Sequence, residues 1–248
     1  MPSTGDLADD LAAAVGGSDV FAVYQPQVSL ESGSIVAAEA LCRWRHPRLG
    51  DIDPVTMIGV AERSGSIHAL GRRMLDECVD TLAGWRETGR DWAVAVNVSP
   101  VQFEDEAFAR HVAGEISRRE LAPGSLVFEL PNDLPPVDGG AVLSQLHLLR
   151  EIGVEFSMAG FGAGPSSRGL LPRLPLTEVK LPGSLVRAAD GDTLSALRDE
   201  VRIAREHGLR VVAEGIETLT HLDVAVALGC DRAQGFLIRQ PDSEIVFP

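Results

Sequence analysis

Residues 93–98 read AVAVNV, 125–130 read SLVFEL and 154–158 read VEFSM; between them lie 105–118, DEAFARHVAGEISR, and 141–152, AVLSQLHLLREI. The short stretches are apolar runs of strand length. The long ones carry apolar residues at helical spacing. Strand, helix, strand, helix, strand in that order means parallel strands joined by crossover helices, and near-continuous apolar strands mean a sheet covered on its outer face.

The same alternation extends both ways. Toward the C-terminus, a short helix over 167–171 precedes a strand over 178–181. A helix over 194–207, a strand over 209–213, a helix over 220–228 and a strand over 233–238 complete the chain. Toward the N-terminus, 55–64 and 67–87 read as helices. Before them, 21–28 and 34–44 are apolar runs joined by Glu31-Ser32-Gly33, a hairpin-type turn. About eight strands in a chain of this length favour a closed (β/α)8 barrel of the TIM type. A flavodoxin-like open sheet needs fewer strands, and the opening hairpin departs from a regular barrel. Residues 5–15 read as a short leading helix ended by Gly16-Gly17, so 1–20 is taken as a leader and 21–248 as the barrel domain.

Composition narrows the function. The chain has 248 residues, 45% of them hydrophobic and 23% charged, with a formal net charge of −14. So acidic a surface repels a phosphate backbone, and a nucleic-acid partner is not expected. Cys42, Cys78 and Cys230 are scattered and odd in number, which suggests reduced core thiols and not a disulfide framework or a zinc site. No apolar run approaches the roughly 20 residues of a membrane helix. Residues 1–20 are acidic and lack a basic n-region, so a signal peptide is not expected and the expected location is cytoplasmic.

In a parallel barrel the site is built at the C-terminal ends of the strands. Asn97, Glu129, Lys180 and Glu214 fall at or near such ends, with Glu217 just beyond; Glu39 lies inside the apolar run 36–41, and Gln234 opens the last strand segment. Lys180 is the sole lysine of the chain. Acids, amides, one lysine and no histidine make an oxygen-rich set, suited to Mg²⁺ or Mn²⁺ over zinc. Gly160-Phe161-Gly162-Ala163-Gly164 also follows a strand. It reads either as a phosphate-cradling nest or as a plain turn, and it lacks the dinucleotide fingerprint.

These residues carry a resemblance. Tyr24-Gln25-Pro26, then Glu39-Ala40-Leu41-Cys42-Arg43-Trp44 with His46-Pro47, resemble the opening of EAL domains. Pro54, Ala61-Glu62 and Gly65 continue it, as do Val96-Asn97-Val98-Ser99 with Gln102, and Leu174-Pro175 with Lys180. Residues 213–218, AEGIET, 228–231, LGCD, and 234–236, QGF, close it. The resemblance implies a modified TIM-like α/β barrel with one early strand antiparallel. It implies a site that hydrolyses cyclic di-GMP with two divalent metals, Mg²⁺ or Mn²⁺. On it, Glu39, Asn97 and Glu129 stand at metal positions. Glu214, Lys180 and Glu217 stand at catalytic or supporting positions, and Gln25, Arg43 and Gln234 at ligand-binding ones.

Three departures qualify what the resemblance implies. Ala159-Gly160 stand where the family has Asp-Asp, Asn132 where it has Glu, and Pro182 where it has an acid. Glu155 lies four residues upstream, too far along the strand to substitute. Ala and Gly offer no metal ligand, so metal binding is expected to be weak or absent. The resulting expectation is a degenerate member that binds cyclic di-GMP without turning it over. The alternatives are a protein-interaction module, working through a protein partner or as a homodimer, and an active metal-dependent phosphodiesterase.

Overall fold

The computed structural model describes residues 4–132, 140–164, 166–189 and 191–245. In chain order, α1 (Thr4–Ala14) precedes β1 (Val20–Ser29), β2 (Ile35–His46) and β3 (Gly50–Ile52). Helices α2 (Pro54–Ser64) and α3 (Ile67–Glu87) lead into β4 (Ala93–Asn97). A 3₁₀ turn at Pro100–Glu104 and α4 (Glu106–Arg119) lead into β5 (Leu126–Leu130), followed by α5 (Ala141–Glu151) and β6 (Glu155–Met158). Then come α6 (Ser166–Leu170), β7 (Glu178–Leu181), α7 (Gly183–Arg187), α8 (Gly191–Glu206), β8 (Arg210–Ala213), α9 (Leu219–Leu228) and β9 (Arg232–Gln234).

The strands close in the order β1-β2-β4-β5-β6-β7-β8-β9 and back to β1, with β3 added outside on β2. All neighbours from β2 through β9 around the barrel are parallel, whereas β1 runs antiparallel to both β2 and β9. The barrel class and its antiparallel early strand are as expected from the sequence. The cause is local. The turn around Glu31-Ser32-Gly33 is far too short for a crossover, which needs about a dozen residues, so β1 and β2 can pair only as a hairpin. Their register sets Gln25 opposite Glu39 and Phe21 opposite Arg43.

The pleat sorts side chains between two cores. Outward positions of the strands pack under the helices. There Phe103, Phe108, Phe128 and Phe156 form a chain of rings, with successive centroids 5.6, 5.9 and 6.1 Å apart. Inward positions hold a separate small cluster, Ala37, Ala93, Ala95 and Val127. The same alternation carries Glu39, Asn97, Glu129 and Lys180 to the inside one step above it. Below it, at the N-terminal ends of the strands, charges close the barrel floor. Arg210 meets Glu155 at 2.6 Å and Glu178 at 2.7 Å, and Arg232 meets Glu178 at 3.2 Å. Glu155 is thereby committed to the floor, at the end opposite the polar strand ends.

Some elements differ from the sequence reading. The last strand, expected to reach Ile238, stops at Gln234. A side chain at Gly235 would run into the backbone of Ile216, and Leu237 N donates to Ile216 O, so the chain turns across the barrel rim. β3, α7 and the 3₁₀ turn are too short to leave a periodic signal. Helix α1 packs on the barrel through the buried Leu11, and Asp10 accepts from His46 Nε2 at 3.0 Å and from Arg48 at 2.7 Å. Among the described residues no helix is long and apolar enough to cross a membrane.

Candidate functional site

Four strands deliver four charged groups to one point. Lys180 Nζ from β7 lies 2.7 Å from Glu39 Oε2 of β2, 2.8 Å from Glu129 Oε2 of β5 and 2.7 Å from Glu214 Oε1, just past β8. An ammonium has three protons, and here each has a carboxylate. Lys180 is wholly buried, Glu39 and Glu129 nearly so, and the Glu214 side chain is 26% exposed toward the barrel mouth. Asn97 Nδ2 donates to Glu39 Oε1 at 2.8 Å, and Gln234 Nε2 donates to Glu39 Oε2 at the same distance. Both oxygens of Glu39 are therefore engaged.

The electrostatics are uneven around this ring. Burial works against the Glu39 carboxylate, but the charge of Lys180 and donors from Lys180, Asn97 and Gln234 outweigh it and hold its pKa below the ordinary value. At Glu129 burial is joined by repulsion from Glu39 and Glu214. These overcome the pull of Lys180, and its carboxyl is pushed well above the usual range. Burial also opposes the Lys180 charge, yet Glu129, Glu214 and Glu39 together raise its pKa well above that of a free lysine. The ring thus keeps its ammonium, and Glu129 takes up a proton more readily than Glu39.

A row of glutamines backs the ring. Gln27 Nε2 donates to Gln234 Oε1 at 3.0 Å, which fixes the Gln234 amide so that its nitrogen faces Glu39 and Gln25 Oε1. Gln25 Nε2 in turn donates to the Arg239 carbonyl at 3.1 Å. Gln27 was missed in the sequence, although it stands two residues from Gln25 and so on the same strand face. Glu217 stands outside the ring, 48% exposed and 3.2 Å from Arg187. Arg43 is also apart. It shares the inward parity of Glu39 four residues along β2, roughly 13 Å nearer the mouth. Its Nη1 donates to the Cys42 carbonyl at 2.9 Å, and among the described residues it has no carboxylate partner.

β6 contributes nothing ionisable at the level of the ring. Past Met158 come Ala159 and Gly160, and the following segment is a turn in which Ala163 N donates to Gly160 O. Gly160 has φ +67°, and Asn132 Nδ2 donates to its carbonyl at 2.7 Å. A Cβ there would lie 2.8 Å from that same nitrogen. Gly160→Asp therefore forces a left-handed residue against a committed amide. The expected cost is about 1–2 kcal/mol, read as a thermal midpoint lower by roughly 2–8 °C. An unchanged midpoint would show that this turn adapts freely.

Comparison with known proteins accords with the architecture. A family model described as EAL domain matches residues 8–241. A Pseudomonas aeruginosa protein named bifunctional diguanylate cyclase/cyclic di-GMP phosphodiesterase MucR is 34% identical over 238 residues, 95% of this chain and 35% of its own length. A second protein of that organism, named a cyclic di-GMP phosphodiesterase, is 34% identical over 95% of this chain and 40% of its own. The chain thus spans between a third and two-fifths of these relatives. The solved PaMucR phosphodiesterase in complex with c-di-GMP superposes with a TM-score of 0.87 at 34% identity, covering 96% of this chain and 97% of that one.

Proposed function

This chain belongs to the EAL-domain family, and on that premise we propose that it binds cyclic di-GMP at the barrel mouth without hydrolysing it. The observation that carries the reading is an arginine without a carboxylate partner above a strand end that offers no acid. Arg43, of inward parity on β2, gives Nη1 to the Cys42 carbonyl and has no carboxylate partner among the described residues, while Ala159-Gly160 leave β6 without a carboxylate beside Glu129. Binding a cyclic dinucleotide needs shape and a phosphate partner, whereas hydrolysis by two metals needs carboxylates on both sides of the ion pair.

The residues present do not fit such a pair. Mg²⁺ and Mn²⁺ need several charged oxygens to offset their dehydration. Here Glu39, Glu129 and Glu214 converge, but β6 brings Ala159 and Gly160 and so supplies no carboxylate to hold a second ion. Asn132 supplies a donor to Gly160 where an acid would supply an acceptor. In this reading Glu39, Asn97, Glu129, Glu214 and Lys180 form a scaffold under the ligand. Gln25 and Gln234 brace that scaffold, and Glu217 lies on its rim.

Calorimetric titration with cyclic di-GMP, with and without Mg²⁺, tests the reading. Saturable binding in both conditions is expected. No response at millimolar ligand would overturn it in favour of a module that works through a protein partner or a second copy. Arg43→Ala is expected to weaken binding by roughly 10- to 100-fold, the loss of one charge-assisted phosphate contact. Equal affinity in that variant would move the ligand away from the β2 face.

A further inference from the structure

We infer that Asp76, His111 and Glu115 form a binding site for a divalent transition metal of the zinc class, which clips helix α3 to helix α4 on the outside of the barrel. None of the three residues stands on a strand. The inference is therefore independent of the ring at the barrel mouth and of nucleotide binding there.

The sequence places two of the donors. His111 and Glu115 are four residues apart on α4, so they stand one above the other on a single helix face. The third comes from packing. α3 lies alongside α4, and Asp76, midway along α3, meets that face. His111 Nε2 donates to Asp76 Oδ1 at 2.8 Å, and the ligand atoms of all three side chains lie within 4.8 Å of one another. Zinc holds nitrogen and oxygen ligands at about 2.0–2.2 Å, so two ligand atoms of a tetrahedral site stand about 3.3 Å apart. Small side-chain rotations bring the three to that spacing. When the imidazole carries its proton on Nδ1, Nε2 offers a lone pair to an ion placed between the helices.

The donor set selects the metal. One imidazole and two carboxylates suit zinc and its neighbours in the transition series, whereas magnesium and calcium favour oxygen alone. Three protein ligands leave a fourth position for water. The Asp76 side chain is 51% exposed, which gives an ion a way in from solvent. Glu115 is the telling member, because its side chain is only 4% exposed. A carboxylate so buried needs a cation beside it. The cations now present come from its own helix: Arg118, and Arg119 with Nε at 3.6 Å. Arg119 also meets Asp80 of α3. Arg118 is 63% exposed, and its long side chain can turn out to water and release one Glu115 oxygen to an ion.

The test is titration with Zn²⁺ alone, followed by calorimetry, with Co²⁺ as the spectroscopic probe. Wild type is expected to bind a single equivalent of Zn²⁺ more tightly than about 10 µM, weaker than the four-ligand structural sites because one ligand is water. At roughly 100 times the dissociation constant, Zn²⁺ should raise the thermal midpoint by about 5–10 °C. Co²⁺ should give the visible absorption of a four-coordinate site, and His111→Gln should lose it. Asp76→Asn and His111→Gln are each expected to weaken Zn²⁺ by about 10-fold or more. Asp76→Asn changes a half-exposed position and keeps the test open if His111→Gln fails to fold. Arg118→Ala removes the competitor for Glu115 and is expected to tighten Zn²⁺ by roughly 3- to 10-fold, a gain that a plain ion-pair cluster would not show. Wild-type affinity no better than about 1 mM, in the range of weak oxygen-ligand sites, overturns the inference. Equal Zn²⁺ binding by folded Asp76→Asn also overturns it, since the ion would then sit elsewhere.

Discussion

Given cyclic di-GMP and millimolar Mn²⁺, the purified protein is expected to release linear dinucleotide no faster than a metal-only control. A two-metal site clamps the attacking and leaving oxygens between ions about 3.5–4 Å apart. Loss of that clamp removes on the order of 5–8 kcal/mol of transition-state stabilisation, a rate roughly 10⁴- to 10⁶-fold lower. β6 brings Ala159 and Gly160 to the ring, so no carboxylate there joins those that β2, β5 and β8 supply. Restoring Ala159→Asp together with Gly160→Asp is not expected to bring turnover back. Gly160 has a left-handed backbone, Asn132 donates to its carbonyl, and Pro182 offers no acid two residues beyond Lys180. Product formation by wild type that a chelator abolishes would sink this reading. Steady turnover by the double variant would show that the aspartates alone were wanting.

Glu178→Ala is expected to be the most destabilising single change at the barrel floor. Glu178 is almost fully buried and is shared by Arg210 at 2.7 Å and Arg232 at 3.2 Å. Burial already disfavours the Arg232 charge more than Glu178 and its other acidic neighbours can offset, so its pKa lies below the ordinary value. Taking away the shared carboxylate leaves Arg210 with Glu155 alone and Arg232 without its partner. Breaking a buried ion network from one side costs about 3–5 kcal/mol. For a domain of this size the thermal midpoint should fall by roughly 6–20 °C. The exposed pair Arg202–Glu206 is the control: both side chains are 58% exposed, and Glu206→Ala should barely move the midpoint. A Glu178→Ala midpoint as close to wild type as that control would show that the floor charges are held by water instead of by one another.

Much of the fold was legible in the residues because it rests on period and turn length. Apolar runs such as 125–130 alternate with helical patterns such as 105–118, and that ordering admits little besides a parallel barrel. The short turn at Glu31-Ser32-Gly33 required an antiparallel start. The placement of Asn97, Glu129, Lys180 and Glu214 at strand ends followed from the same elements. That Ala159-Gly160 bring no carboxylate to the end of β6 is a property of the sequence alone, fixed by residue type.

What tertiary structure decided is how those side chains meet. No local signal tells that the lone lysine reaches three acids separated from it by as many as 141 positions in the chain. Nor does any show that Gln27 orients Gln234, that Asn132 is spent on the Gly160 carbonyl, or that Arg43 gives its Nη1 to the Cys42 carbonyl with no carboxylate partner among the described residues. Secondary structure is set by interactions a few residues long, and its period survives in the sequence. Hydrogen-bond partners and buried charge balance depend on which strands the closed barrel brings side by side, and that proximity exists only after the chain has folded.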